Sequence, residues 1–263
     1  MNKATCLFAL TLWTCGIASP SPAEAHPKVA RQLKSSIGQS FRSIDDAIAK
    51  MDFGYKTLLA QNDRRAIFMN SYVNVLMQIR RRLAANEFIK QNWSQTLMLN
   101  YANLYRIAVW ADLSGRTDEV PKSWQLAFSK TNDESVSAPV LLMLSINAHI
   151  SRDLPVALHQ TGVDFGDESS RKDFFSVDKS FESATAQTWP IMEHFGYAPP
   201  SVDKALSFPV ISHWIARKRL AAWNAGNSIA GIPKASRAQA FAQLDERTTR
   251  KGRQILTLKG ILR

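Results

Sequence analysis

Apolar residues recur along most of the chain at spacings of three and four, the period of helices that bury one stripe. Ser43-Ile44-Asp45-Asp46 reads as an N-cap with acids in the first turn, and behind it Ile44, Ile48, Met51, Tyr55 and Leu58 share a face. Asp63 can cap a second helix that turns Phe68, Tyr72, Val75, Ile79 and Leu83 inward. Asn92 can cap a third, burying Leu97, Tyr101, Leu104, Tyr105 and Ala108. Pro121 suits the first turn of a short helix through Trp124 and Phe128. Further helices are expected at about 171–195, 202–226 and 235–256, with Gly162, Gly196, Pro199-Pro200 and Gly231 as breaks.

One segment departs from this single-stripe pattern. Between Ala138 and Ile150, the run Val140 to Leu144 is apolar in every direction, as expected of a helix at the centre of a core. A buried strand is the alternative, which the Leu, Met and Ala content disfavours. With no internal repeat, linker or strand-turn-strand pattern, the expected fold is all-α: a single compact multi-helix domain over 43–228. An N-terminal extension (26–42) precedes it. A basic helix or tail comes after it over 229–263, and Phe241, Leu244 and Ile255 argue that it docks at least in part.

The first 25 residues have the pattern of a secretory signal. Lys3 supplies the positive start, Ala4 to Ala18 is short and mostly apolar, and Ala23 and Ala25 form an A-x-A ending that places cleavage before His26. A lipidated Cys15 after Leu12-Trp13-Thr14 is the competing reading, with a less suitable flank. Both cysteines, Cys6 and Cys15, would leave with the signal, which removes cysteine chemistry from the mature chain. The expectation is an exported protein, periplasmic or secreted.

Charge narrows the partners. The chain of 263 residues carries 33 Lys+Arg against 22 Asp+Glu, a net charge of +11, which loss of Lys3 and Glu24 leaves unchanged. Basic residues concentrate after residue 234 and at Arg80-Arg81-Arg82. An anionic small molecule, a lipid headgroup or an envelope polymer fits that charge, while no specific nucleic-acid motif is present. The same clusters also read simply as solvated helix faces.

The candidate chemistry sits in Asn147-Ala148-His149-Ile150-Ser151-Arg152-Asp153-Leu154-Pro155, directly after the apolar run. Polar groups there are costly to bury unless paired or liganded. His149 and Asp153, four apart, share a helical face and can grip one ion, and His159 lies beyond the proline. The metal set would be His149, Asp153 and His159, with zinc before other divalent ions; His149 and Asp153 would be the catalytic pair. Asn147, Arg152, Asn103, Tyr105 and Arg217 are candidates to bind substrate or support the pair, with Asn103 and Tyr105 reaching Asn147 or His149 across the core. The same residues also fit a structural polar core, with Asp153 capping the helix from Pro155, His149 simply hydrogen-bonded, and Arg152 as ion partner. His194 reads as a helix-end cation, and His213 as ordinary packing or as a residue that faces the same pocket and completes the metal shell in place of His159. No G-x-S-x-G elbow, glycine-rich phosphate loop or H-E-x-x-H stands in the sequence.

The stretch Leu141–Ala157, L-L-M-L-S-I-N-A-H-I-S-R-D-L-P-V-A, resembles the N-A-H-I-N-x-D-L-P hallmark of an uncharacterised, mostly helical bacterial family known only as a domain of unknown function. Further pieces agree in order from Ser43 to Trp223, among them Asp63 with Phe68 and Tyr72, Ala102-Asn103-Leu104-Tyr105, Pro121 to Trp124, and Arg171 with Asp173. Ser151 stands where that family usually has Asn. The resemblance implies a helical domain with a shared site and no particular reaction. A second similarity covers three positions: His149-x3-Asp153-x5-His159 is similar to a zinc-binding stretch of the zinc phospholipase C and S1/P1 nuclease group. That group needs a second His-x3-acid pair, where His213 here leads to Arg217, and an N-terminal ligand, where this chain would present His26.

Three functions therefore compete on sequence. The first is a metal-dependent hydrolase acting on an anionic phosphoester. The second is a non-catalytic basic binding protein of the cell envelope, and the third a metal-free acid–base enzyme that uses His149 oriented by Asp153.

Overall fold

The computed structural model describes residues 22–257 except 179, 182–183, 185–186 and 198–200, and of 22–26 and 201–210 the backbone alone. The signal-like residues up to 21, with both cysteines, and the Pro199-Pro200 break lie outside the described residues. No strand occurs among those described, so the all-α expectation holds. None of the described helices is long and apolar enough to cross a membrane.

Helix α1 (Pro22–Leu33) leads into α2 (Ile44–Ala60) and α3 (Ala66–Ala84), which pack together across a short link. Ser43 is the N-cap of α2, its Oγ accepting the Asp46 N–H at 3.1 Å, while the Asp46 carboxylate accepts from Arg42 N–H at 2.9 Å. The expected inward faces of α2 and α3 are buried, apart from the half-buried Tyr55 and Leu83. The N-terminal extension is part of the core, with Val29, Leu33, Ile37 and Phe41 all buried.

Several helix starts are fixed by distant carboxylates. Helix α4 (Gln91–Leu113) is not capped by Asn92: Asp173 of α8 (Glu168–Ser176) accepts from the N–H groups of Ile89 at 2.8 Å and Lys90 at 2.6 Å, and from Ser94 Oγ at 3.3 Å. For α5 (Lys122–Ser129), Pro121 is the N-cap residue, and Asp245 accepts from the N–H groups of Lys122 and Ser123. Asp63 stands two residues before Arg65, the N-cap position of α3, and its Oδ1 accepts the Arg65 N–H at 3.0 Å. Its carboxylate holds the buried Arg65 at 2.5 Å, and Arg65 reaches Asp112 at 2.6 Å, tying the start of α3 to the end of α4.

Helix α6 (Ala138–Ala148) is the central apolar helix. It runs through a π-helical turn (His149–Asp153) into α7 (Leu154–Gln160), and α3 and α5 pack against it. Beyond α8 lie α9 (Trp189–His194), α10 (Ser201–Ala230) and α11 (Arg237–Leu256). The single helix expected over 171–195 is thus broken: α8 ends at Ser176, and Pro190, which has no N–H, stands in the first turn of α9. Helix α11 docks on α5, α6 and the π turn through Leu244, Thr248, Gly252 and Ile255, so the basic C-terminal segment completes the core wall. A Cβ on Gly252 would stand 2.8 Å from Leu126 Cδ2, which shows how closely α11 approaches α5.

Five helices end alike, on a residue with positive φ two places past the last helical one: Asn62, Asn86, Gly115, Gly162 and Gly196. Each is succeeded by an N–H that bonds back five residues, as Asp63 does to Leu58 and Val163 to Leu158.

Candidate functional site

The site is built around the π turn. The N–H of Leu154 bonds to the carbonyl of His149, five residues back. Pro155 supplies the local reason, because it offers no N–H to the carbonyl of Ser151 and crowds it, so the helix widens by one residue rather than stopping. Across the widened turn, His149 Nδ1 lies 3.1 Å from Asp153 Oδ2.

Asp153 is fully buried and does not cap α7. Its Oδ2 also accepts from Trp124 Nε1 at 2.8 Å, and its Oδ1 accepts from Arg152 Nη1 at 2.8 Å. Burial alone would raise the Asp153 pKa, yet the hydrogen bond from His149 and the Arg152 charge hold it below the ordinary carboxylate value. The carboxylate is therefore ionised and can only accept. For His149, burial outweighs the pull of Asp153 and depresses the pKa, so the imidazole is neutral at pH 7. Its proton sits on Nδ1, donated to Asp153, and Nε2 keeps a bare lone pair. That Nε2 atom is buried and has no hydrogen-bond partner among the described residues.

Aromatic rings box the imidazole. Tyr101 stacks on it with centroids 3.6 Å apart and planes 7° from parallel, and Tyr72 meets it edge-on at 4.5 Å. Phe68 closes a further side at 5.4 Å. The hydroxyls of Tyr72 and Tyr101 are buried and unpartnered among the described residues. Burial, assisted by the Asp153 charge, pushes both phenols well above the ordinary tyrosine value, so they stay protonated.

A cavity of about 40 Å³ opens beside these groups, lined by Tyr72, Tyr101, His149 and Arg219, by Ser71 and Thr188, and otherwise by apolar residues. His149 lines it and Asp153 does not. Arg219 of α10 is buried, its Nε bonded to Asp178 at 2.6 Å and its Nη2 to the Phe174 carbonyl, with the guanidinium 4.3 Å over the Phe174 ring. The Tyr72 and Tyr101 hydroxyls and His149 Nε2 thus belong to cavity-lining residues and have no partner among the described residues, the usual mark of a place that something else fills.

Of the residues singled out by sequence, the structure brings together His149, Asp153 and Arg152, with Tyr105 at the edge of the aromatic box 6.0 Å from His149. Asn147 lies behind the turn and ties three elements: its Nδ2 donates to the Thr248 carbonyl at 3.0 Å, and its Oδ1 accepts from Lys218 at 2.6 Å. Lys218 itself is brought down to about 8 by burial and by the charge of Lys251.

Asn103 does not cross the core as expected; it brackets the backbone of Phe41 on both sides. His159 does not join His149. Its Nε2 bonds to the Gly226 carbonyl at 3.0 Å and its ring meets Phe241 edge-on, because the helix beyond Pro155 turns it toward α10 and α11. His213 and Arg217 are exposed on α10, so neither reaches the pair. Among the described residues, no three His, Cys, Asp or Glu side chains assemble as a metal-binding group. Trp124, Tyr72, Tyr101 and Arg219 do not stand out as site residues in the sequence. A signal exists for the first three in their place among the family-like pieces or on inward faces, but an aromatic on such a face reads first as core.

No curated protein and no solved structure matches this chain. The model of the family of unknown function DUF5995 matches residues 44–258, and the chain belongs to that family.

Proposed function

We propose that the chain is an acid–base hydrolase in which His149, oriented by Asp153, does the proton transfer without a metal. The observation that carries this reading is the buried Nε2, unpartnered among the described residues, of a neutral histidine that lines a cavity, with its other nitrogen tied to an ionised carboxylate. Nε2 takes a proton from a water as the water oxygen attacks the acyl carbon of a substrate. The Tyr72 and Tyr101 hydroxyls donate to the oxygen that becomes anionic, and the imidazolium returns the proton to the leaving alcohol.

The donor set argues for the metal-free version: both Asp153 oxygens are occupied by Trp124, His149 and Arg152, which leaves one nitrogen to face a ligand. Size argues for the acyl end of a short-chain carboxylic ester rather than a phosphoester. The cavity of about 40 Å³ has room for about three waters at ~10–15 Å³ each. A phosphomonoester dianion would also need more positive charge than Arg219, already paired with Asp178, supplies.

The test is turnover of ethyl acetate and phenyl acetate by protein purified without affinity metals. His149→Gln is expected to lower kcat by ~10²–10⁴, the usual worth of a positioned general base, and chelator is expected to leave the wild type unchanged. Activity that survives in His149→Gln, or that chelator abolishes, overturns the mechanism. No turnover of either ester returns the chain to the binding-protein reading.

Export is part of the proposal. Its support is that the first core-docked side chain described is Val29, so cleavage after Ala25 would remove only the start of α1. Protein recovered from the producing cell's exterior is expected to begin at His26. An intact Met1 terminus on the functional protein would end this part of the reading.

A further inference from the structure

We infer that the cavity lined by Arg219, Tyr72 and Tyr101 is a carboxylate site, sized for a short-chain monocarboxylate such as acetate. The inference rests on the reading of the cavity as the place where substrate binds, and it adds the chemistry of what is held there. Tyr72 and Tyr101 each offer a hydroxyl that burial keeps protonated and that meets no acceptor among the described residues. Arg219 commits Nε to Asp178 and Nη2 to the Phe174 carbonyl, while its Nη1 makes no hydrogen bond among the described residues. Tyr72, Tyr101 and Arg219 all line this one cavity.

The other polar side chains of the lining are His149, whose Nε2 is an acceptor, and Ser71 and Thr188, whose hydroxyls can donate or accept. A carboxylate has acceptors only, two oxygens with lone pairs to spare, and matches the two phenols and the guanidinium. The remaining lining is apolar and suits a methyl or ethyl group. Room for about three waters fits the four heavy atoms of acetate and excludes long acyl chains. The Asp178 partner balances Arg219 in the empty state, so one added negative charge is offset chiefly by hydrogen bonds, which favours a monoanion over a dianion.

Thermal unfolding of the whole chain in sodium acetate, against sodium chloride and acetamide at matched ionic strength, tests this directly. Acetate is expected to raise Tm saturably, whereas chloride and the isosteric neutral amide are not. Tyr72→Phe and Tyr101→Phe keep the ring and remove only an unpartnered hydroxyl. Both variants should therefore fold with an unliganded Tm equal to or above the wild type, yet weaken acetate by about 10-fold or more each. A merely structural role for the hydroxyls would lower the unliganded Tm and leave the acetate shift intact. Equal shifts by acetamide, no acetate shift, or acetate binding indifferent to both Phe variants would each overturn the carboxylate site. None of these results depends on ester turnover, so loss of the carboxylate site and loss of the His149 mechanism are read separately.

Discussion

Asp153→Ala is expected to destabilise the protein by ~3–5 kcal/mol, the largest single effect in the molecule, because it strips the partner from three groups at once. The His149 Nδ1–H, the Trp124 Nε1–H and Arg152 all converge on this fully buried carboxylate. His149 and Trp124 are themselves buried and have no solvent to turn to. Asp153→Asn separates the structural part from the chemical one. Its amide oxygen can take the place of Oδ2 between Trp124 and His149, and its NH2 then faces Arg152, which is partly exposed and free to swing outward. The expected cost is ~1–2 kcal/mol, with the imidazole proton still on Nδ1. The rate of ester hydrolysis should nevertheless fall by ~10²-fold, since the imidazolium formed during turnover loses its counter-charge. Urea unfolding gives the stabilities, and imidazole ¹⁵N shifts give the proton position. A fully stable Asp153→Ala protein would show that the carboxylate does not organise the turn.

The helices are largely legible in the chain because one-stripe periodicity is a local property. The faces of α2, α3 and α4, the N-cap at Ser43 and the all-round apolar α6 arise from residues within a turn or two of each other. The helix starts that differ from expectation are those fixed from far away. Asp173 and Asp245 look like ordinary polar residues of their own helices, and nothing near them says that they serve α4 and α5. Asn62 and Asn86 do not stand out as helix stops although they adopt the same positive φ as Gly115, Gly162 and Gly196. Asparagine tolerates that conformation through its short side chain, which makes it a weaker written signal than glycine.

The candidate site is legible only in its centre. A His and an acid four apart beside an apolar helix point to His149 and Asp153, and Arg152 comes with them by adjacency. The spacing to His159 misleads because it assumes an undisturbed helical face. A π turn rotates the residues beyond it relative to those before, and Pro155 then sets a new start. Three of the chain's five tyrosines surround His149, yet each sits on its helix at a position that core packing alone would explain. Arg219 lies in a helix rich in cations, where a buried one cannot be told from its solvated neighbours until Asp178 and Phe174 are folded against it.

Acidification should unfold the protein in two steps that share a sign. The folded-state pKa of His149 lies below its ordinary 6.5, so the unfolded chain binds the extra proton first as pH falls. Stability contributed by the neutral, buried imidazole is complete above about pH 6.5 and declines below it by up to ~1.4 kcal/mol per pH unit until the folded group also protonates. Asp153 acts lower down: its folded pKa is depressed from 3.8, so its contribution is complete above that value and is lost as pH drops through the folded pKa. Urea unfolding at pH 7.5, 6 and 5 is expected to show stability falling with pH in the wild type, by at most ~1.4 kcal/mol per pH unit below pH 6.5. In His149→Gln that upper slope should flatten while the decline below pH 4 remains. A wild-type stability that is level from pH 7 to 5, or an equal slope in the variant, would mean that burial does not depress the His149 pKa. Nε2 would then gain a proton as pH falls through about 6.5, and the lone pair on which the hydrolytic mechanism depends would be lost there.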